Sequence, residues 1–217
     1  MKCRLRLSVI GILGAVVLFF GAGSGHAVPL IPFTCITNNI AGDCAIGVAQ
    51  LSGSVVDFST GIANLEIVMT GAANAVVEQV FIESSIVTGA SFIMSTGLGI
   101  VVFTVDGSPG NFPGGNQPAV AFMVDVSVSA DPPPPKNGIG RHPTDNFSPQ
   151  SGLFKLTYTG NFVDLLSDLR VGVHVIGYTT DGSESFVSAP IPEPSTLLLL
   201  ASGLAGLGFF RIRRKAA

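Results

Sequence analysis

The last 23 residues constrain this chain more than any other stretch. Ser195 to Phe210 is uncharged, with six Leu and two Phe, and Arg211, Arg213, Arg214 and Lys215 follow at once. Four cations within five residues do not fit a protein interior, where each desolvated charge costs several kcal/mol. At about 1.5 Å per residue, sixteen helical residues reach roughly 24 Å, enough for a locally thinned bilayer with snorkelling ends. A core helix has this length too, and the basic cluster decides between them. It predicts a membrane helix with its cations as a cytoplasmic stop. Upstream, Pro192 and Pro194 interrupt helix and hold the chain extended. Glu193 between them is expected at the outer interface, because a mid-membrane carboxylate costs about 2.5–3.5 kcal/mol.

The N-terminus predicts export. Lys2, Arg4 and Arg6 flank an apolar run from Leu7 to Phe20, and small residues lead to Gly25-His26-Ala27. This is signal-peptide grammar, with cleavage expected after Ala27 and a retained anchor as the alternative. Basic residues at both ends then place residues 28 to about 192 outside the cytoplasm. Signal removal leaves Cys35 and Cys44. An even pair in an exported chain is expected to form a disulfide, stabilising by about 2–3 kcal/mol, with two free thiols as the alternative.

Pro192-Glu193-Pro194, a short apolar helix and a terminal Arg-rich cluster, in that order, resemble the PEP-CTERM sorting signal of exported bacterial proteins. The resemblance implies a Gram-negative envelope protein recognised by an exosortase, a membrane-embedded cysteine protease. It implies that Pro192, Glu193 and Pro194 are recognition residues, that the tail is removed near them, and that the body reaches the cell surface or medium. The chain divides into a signal peptide (1–27), an exported body (28–190) and a sorting segment (191–217). Three stretches of the body, Asn111–Gln117, Ala130–Ile139 and Val171–Val187, also resemble a recurring small PEP-CTERM type, which implies an extracellular β domain and no particular reaction.

Between residues 28 and 191 there are thirteen acidic residues and only Lys136, Arg141, Lys155 and Arg170 as bases. An acidic body lacks the clustered cations that phosphate backbones demand, so nucleic acid is not an expected partner. Short β-rich runs separated by Gly, Pro, Asn and Asp predict a mostly β antiparallel sandwich or jelly-roll-like fold. The expected strands are Ala45–Leu51, Asn64–Thr70, Val76–Glu83, Ser91–Ser95, Ile100–Val105, Val120–Ser129, Leu153–Thr159, Arg170–Tyr178 and Ser185–Val187. Val171, Val173 and Val175 alternate with Arg170, Gly172 and His174, and Val124, Val126 and Val128 with Asp125, Ser127 and Ser129, predicting one dry and one wet face. One short helix is expected over Phe162–Leu169, capped by Asn161, with an apolar stripe of Phe162, Leu165, Leu166 and Leu169. Asp131-Pro-Pro-Pro-Pro-Lys136 reads as an exposed polyproline connector.

The body offers little catalytic pattern. Only His142 and His174 remain after signal removal; no G-x-S-x-G, H-E-x-x-H, paired-Cys or P-loop motif occurs. A secreted hydrolase using either histidine is therefore the least favoured function, and no cofactor is expected. Asp106 in one Gly/Pro loop, and Asp181 and Glu184 in another, are weak calcium candidates, since hard cations take oxygen ligands. Asp-Gly pairs are also ordinary turn chemistry, which makes structural turns the competing explanation. The expected function is a non-enzymatic structural or interaction module of the surface or exopolysaccharide matrix. Its partners are the secretion machinery, an exosortase, the membrane and extracellular polysaccharide, with a weak calcium- or glycan-binding module as the alternative.

Overall fold

The computed structural model describes residues 30–99, 101–108, 110–131, 138–141 and 148–189. The signal segment with Ala27, the polyproline connector, His142 and the sorting segment with Pro192–Pro194 and the basic tail lie outside these residues. Among the described residues no helix is long and apolar enough to cross a membrane.

Among the described residues, twelve strands and two helices follow one another as β1 (Leu30–Ile31), β2 (Phe33–Cys35), α1 (Asp43–Gln50), β3 (Leu51–Ser59), β4 (Ile62–Met69), β5 (Ala75–Glu83), β6 (Val87–Leu98), β7 (Val102–Val105), β8 (Val126–Asp131), β9 (Ile139–Arg141), β10 (Ser148–Tyr158), α2 (Phe162–Asp168), β11 (Arg170–Ile176) and β12 (Glu184–Ser188). One sheet runs β1-β3-β4-β10-β6; the other runs β2-β12-β11-β5-β8-β7, with β9 added to β5. The strand pairings are antiparallel. The expected mostly β, sandwich-like body is therefore present.

Period-2 alternation builds the core. Val55, Ala63, Leu65, Ile67, Phe154 and Leu156 point inward from one sheet; Val80, Ile82, Val171, Val173 and Val175 point inward from the other. Each fully buried aliphatic or aromatic side chain contributes about 1.5–3 kcal/mol of transfer free energy. Phe92, Phe103 and Phe154 meet at centroid separations of 5.2–5.5 Å and fill the corner where β6 turns into β7. At the β3–β4 hairpin, Gly61 takes φ 74°, the left-handed conformation that a Cβ disfavours.

The expected helix is present. The Asn161 side chain accepts the Asp164 backbone N–H at 2.9 Å, and Leu165, Leu166 and Leu169 are buried, with Phe162 packed beside them. Ala45–Leu51, expected as a strand, is instead helical from Ala45 to Gln50 in α1, and only Leu51 is strand, as the first residue of β3. Its alternating Ile46 and Val48 imitate a strand, and Gly47 disfavours helix; tertiary contacts impose the helix. β1, β2, β3 and β9 were not expected.

The run Val120–Ser129 becomes strand only at Val126. Ala121 has φ 43°, which breaks the extended chain, and Phe122 turns onto Phe81 and Phe112. Val124 packs in this second cluster and not beside Val128, which lies in the main core. The loop between β7 and β8 thus covers part of the face expected to be wet, burying Ser127 beneath it. Arg170 fastens the loop. Its guanidinium donates to the Val120 carbonyl at 2.8 Å, pairs with Glu83 at 2.7 Å and lies 5.2 Å from the Phe122 ring centroid.

Candidate functional site

Two polar constellations stand out, and both are built on β12. The first is a corner where β2, the loop after it, α1 and the β11–β12 loop converge. Cys35, at the end of β2, and Cys44, in the first turn of α1, form a disulfide with Cα atoms 5.7 Å apart. The expected pairing is therefore made. Both sulfurs also approach the Thr37 carbonyl oxygen; with no proton on either sulfur, this is a contact and not a hydrogen bond.

Glu184, the first residue of β12, is fully buried beside that disulfide. Its carboxylate accepts from the Thr37 hydroxyl at 2.6 Å and from the backbone N–H groups of Asn39 and Ile40 at 2.7 and 3.0 Å. Thr37 in turn accepts the Ser185 N–H at 2.7 Å. A buried carboxylate survives only with such donors, and charge-assisted bonds are the strong ones. The net effect ties the 36–42 loop to the edge of β12.

Asp43 opens α1, where the helix dipole favours a carboxylate. One of its oxygens accepts the Thr180 hydroxyl at 2.6 Å; the other, like the Tyr178 hydroxyl, is buried without a hydrogen-bond partner among the described residues. Burial first, and then the charges of Asp43 and Glu184, hold the Tyr178 phenol protonated well above its ordinary range. α1 can sit this low because residue 47 is glycine. A Cβ there would lie 2.1 Å from Phe186 Cζ and 2.7 Å from the Tyr178 hydroxyl.

The second constellation is a polar row across five strands. Registers place Thr104 opposite Ser129, Ser129 opposite Gln79, Gln79 opposite His174, and His174 opposite Ser185. Gln79 donates to the Ser129 hydroxyl at 3.0 Å, and His174 Nδ1 lies 3.2 Å from the Ser185 hydroxyl oxygen. Asp106 closes the β8 end of the row, accepting from Ser127 and Ser129. Burial lowers the His174 pKa below its ordinary value, and the Glu184 charge partly opposes that. The imidazole is thus a neutral hydrogen-bonding group near neutral pH.

The calcium candidates are not brought together. Glu184 is engaged by three donors, Asp181 is exposed on a left-handed backbone (φ 57°), and Asp106 serves its serines. β11, β5 and β8 separate β12 from β7, which precedes Asp106. The Glu184 carboxylate lies within 4.8 Å of both sulfurs, but those sulfurs are spent on each other and offer no thiolate. His174 meets Ser185, yet that serine is fully buried, and no described carboxylate is hydrogen-bonded to the imidazole. Sequence reasoning missed Thr37, Asn39, Asp43, Tyr178 and Thr180. Its best available signal was Gly42-Asp43-Cys44, a turn residue and a helix-favouring acid beside a bridging cysteine.

Fold and constellations define a disulfide-braced antiparallel β protein whose polar groups chiefly bind one another. The chain enters through Leu30–Phe33 and leaves at Ser188, which pairs directly with Phe33. Immediately beyond, residues 190–215 match the PEP-CTERM protein-sorting motif, so the chain carries the sorting signal of PEP-CTERM proteins. The motif indicates an exported protein, sorted through the membrane to the cell surface with an exosortase as processing partner. No curated protein and no solved structure matches the chain.

Proposed function

We propose that this protein is a non-enzymatic structural or interaction module of the cell surface or exopolysaccharide matrix, delivered by its C-terminal signal. In this reading residues 1–27 direct export and are removed after Ala27. Ser195–Phe210 tethers the body transiently to the inner membrane, with Arg211, Arg213, Arg214 and Lys215 in the cytoplasm. An exosortase then trims the chain near Pro192, Glu193 and Pro194. The observation that carries it is the sorting motif beginning two residues after β12 ends. Two prolines there cannot join the sheet as donors, so the protease would meet an unpaired extended strand. Replacing Pro192, Glu193 and Pro194 together with Ala tests it. Retention of untrimmed chain in the membrane fraction is expected; normal trimming and distribution would defeat the proposal.

A weak glycan- or calcium-binding module is the second reading. The half-buried row of Ser129, Gln79 and His174 favours a polar ligand, and Asp43, with one oxygen unpartnered among the described residues, favours a cation. Calorimetric titration with envelope polysaccharide and with calcium decides it: heats that saturate support the reading, and flat heats for both end it.

A further inference from the structure

β12 is fixed in the fold up to its last residue. Ser188 pairs with Phe33, and its hydroxyl accepts the Val171 backbone N–H at 2.8 Å. Only Ala189, Pro190 and Ile191 separate Ser188 from Pro192. At about 3.3–3.6 Å per residue, Pro192 cannot lie more than about 14 Å from Ser188. A single helix with its side chains is about 10–12 Å across. Any protein that grips Pro192–Pro194 must therefore touch the end of the sandwich where β12 stops. The registers define that end: Arg170 opposite Glu83, the start of β8, and the β3–β4 hairpin beside the end of β10. β5 crosses to β6 there through Ser84–Ile86, and β10 crosses to β11 through α2, so both sheets close on it.

The same end carries Met123 and Phe58, the most accessible large apolar side chains among the described residues at 73% and 70%, and Val163 at 50%. Single apolar residues on a surface need no explanation. Here each has an exposed carboxylate within two positions: Asp57 beside Phe58, Asp125 after Met123 and Asp164 after Val163. With the half-buried Glu83 and Asp168, the end holds five carboxylates against Arg170; Lys155 stands three residues short of it on β10.

We propose that this end is a second recognition surface for the processing enzyme, whose own surface takes up the three apolar tips and offers cations to the carboxylates around them. The inference rests on the sorting reading above and adds a surface of the body to the motif. The short spacer names the occupant, since an enzyme engaged on Pro192–Pro194 is obliged to sit here. Charge separates protein from lipid: an anionic bilayer surface repels five carboxylates, whereas a cationic protein rim attracts them and speeds encounter. Aromatic and Met side chains at the centre with charge around them are also the usual make-up of a protein interface.

The test follows trimming of the full-length chain by pulse-chase in cells that process the wild type. Phe58→Ser combined with Met123→Ser should slow trimming at least about tenfold. Asp57→Asn combined with Asp125→Asn keeps an acceptor for the Tyr158 hydroxyl and the Ser84 N–H, and should slow it several-fold. Val48→Ser, on α1 at the far end of β3, and Asp131→Asn, at the far end of β8, should leave it unchanged. A photo-crosslinking phenylalanine analogue in place of Phe58 should form an adduct with the enzyme, and in place of Val48 none. This arm reads contact directly and does not depend on serine being tolerated. Unchanged trimming in both double variants, or equal slowing in the controls, would overturn the proposal. Adducts with lipid alone would overturn it too and give this end to the bilayer. If Ala at Pro192, Glu193 and Pro194 stops trimming while both double variants trim normally, this surface fails and the sorting reading stands.

Discussion

α1 and α2 are nearly the same length, eight and seven residues, but they are helical for opposite reasons. α2 carries its own instructions. Asn161 caps it, Asp164 occupies the first turn, and its leucines recur at the spacing that puts them on one buried face. α1 has Gly42 at its N-cap, in a left-handed conformation with no side-chain bond, and a glycine in its middle. What holds it is external: the bridge to Cys35, the Thr180 hydroxyl on Asp43, and the space that Gly47 leaves for Phe186 and Tyr178. The difference shows that a short helix needs either a local start signal or a tertiary mould, and that only the first is written where it acts.

This contrast can be broken by substitution and chemical denaturation of the exported protein. Leu165→Ala removes a fully buried side chain beneath α2 and should cost about 3 kcal/mol, within the range for buried leucines. Replacing Cys35 and Cys44 together with Ser should cost about 2–3 kcal/mol, the loop-entropy value for a bridge spanning nine positions. Amide exchange should then rise selectively over Asp43–Gln50; uniform exchange would mean the bridge does not hold α1. Gly47→Ala sets two terms against each other. Helix propensity gains about 1 kcal/mol, and overpacking against Phe186 costs about 1–3 kcal/mol. Because a Cβ at residue 47 would overlap the Phe186 ring, the second term should win, for a net loss of up to about 2 kcal/mol. A stabilised Gly47→Ala protein would show that α1 is free of its mould.

Asn161→Ala should cost about 1 kcal/mol by orphaning the Asp164 N–H, with the loss confined to α2. The pH effects are smaller and have definite signs. His174 titrates lower in the fold than its ordinary 6.5, so the unfolded chain takes up that proton first. Stability should therefore fall as pH drops from about 6.5 toward the folded value, and His174→Gln should flatten this slope. Tyr178 is shifted upward, so stability should fall as pH rises above about 10, where the unfolded phenol ionises first. A slope that survives His174→Gln would assign the acid sensitivity to another group.

Much of the sheet structure was legible because period-2 alternation is local. β4, β5 and β11 lie near their expected positions, and Val171, Val173 and Val175 face the core as their spacing requires. β3 was not legible, since Leu51–Ser59 mixes Ser, Gly, Val, Asp and Phe without a clean alternation, and its outward end leaves Phe58 exposed. The loop from Asp106 to Asp125 misled for a different reason. Its apolar residues serve a second cluster on the outer face of a sheet, and no local pattern distinguishes that from a strand entering the main core. The polar corner was less legible still. Asn39 and Glu184 stand 145 positions apart in sequence, and only closure of β12 against β2 brings them together.

The amino-acid sequence by itself determined the sorting segment, the cysteine pair, the β class of the body and α2, because each depends on composition, close spacing or a cap within a few residues. Tertiary structure decided the rest: that Ala45–Gln50 coils, that Glu184 and Asp43 are buried with their donors, and that His174 and Ser185 align. Those outcomes arise from strands distant in sequence sharing a sheet, where register and burial, and not local preference, set what each side chain touches.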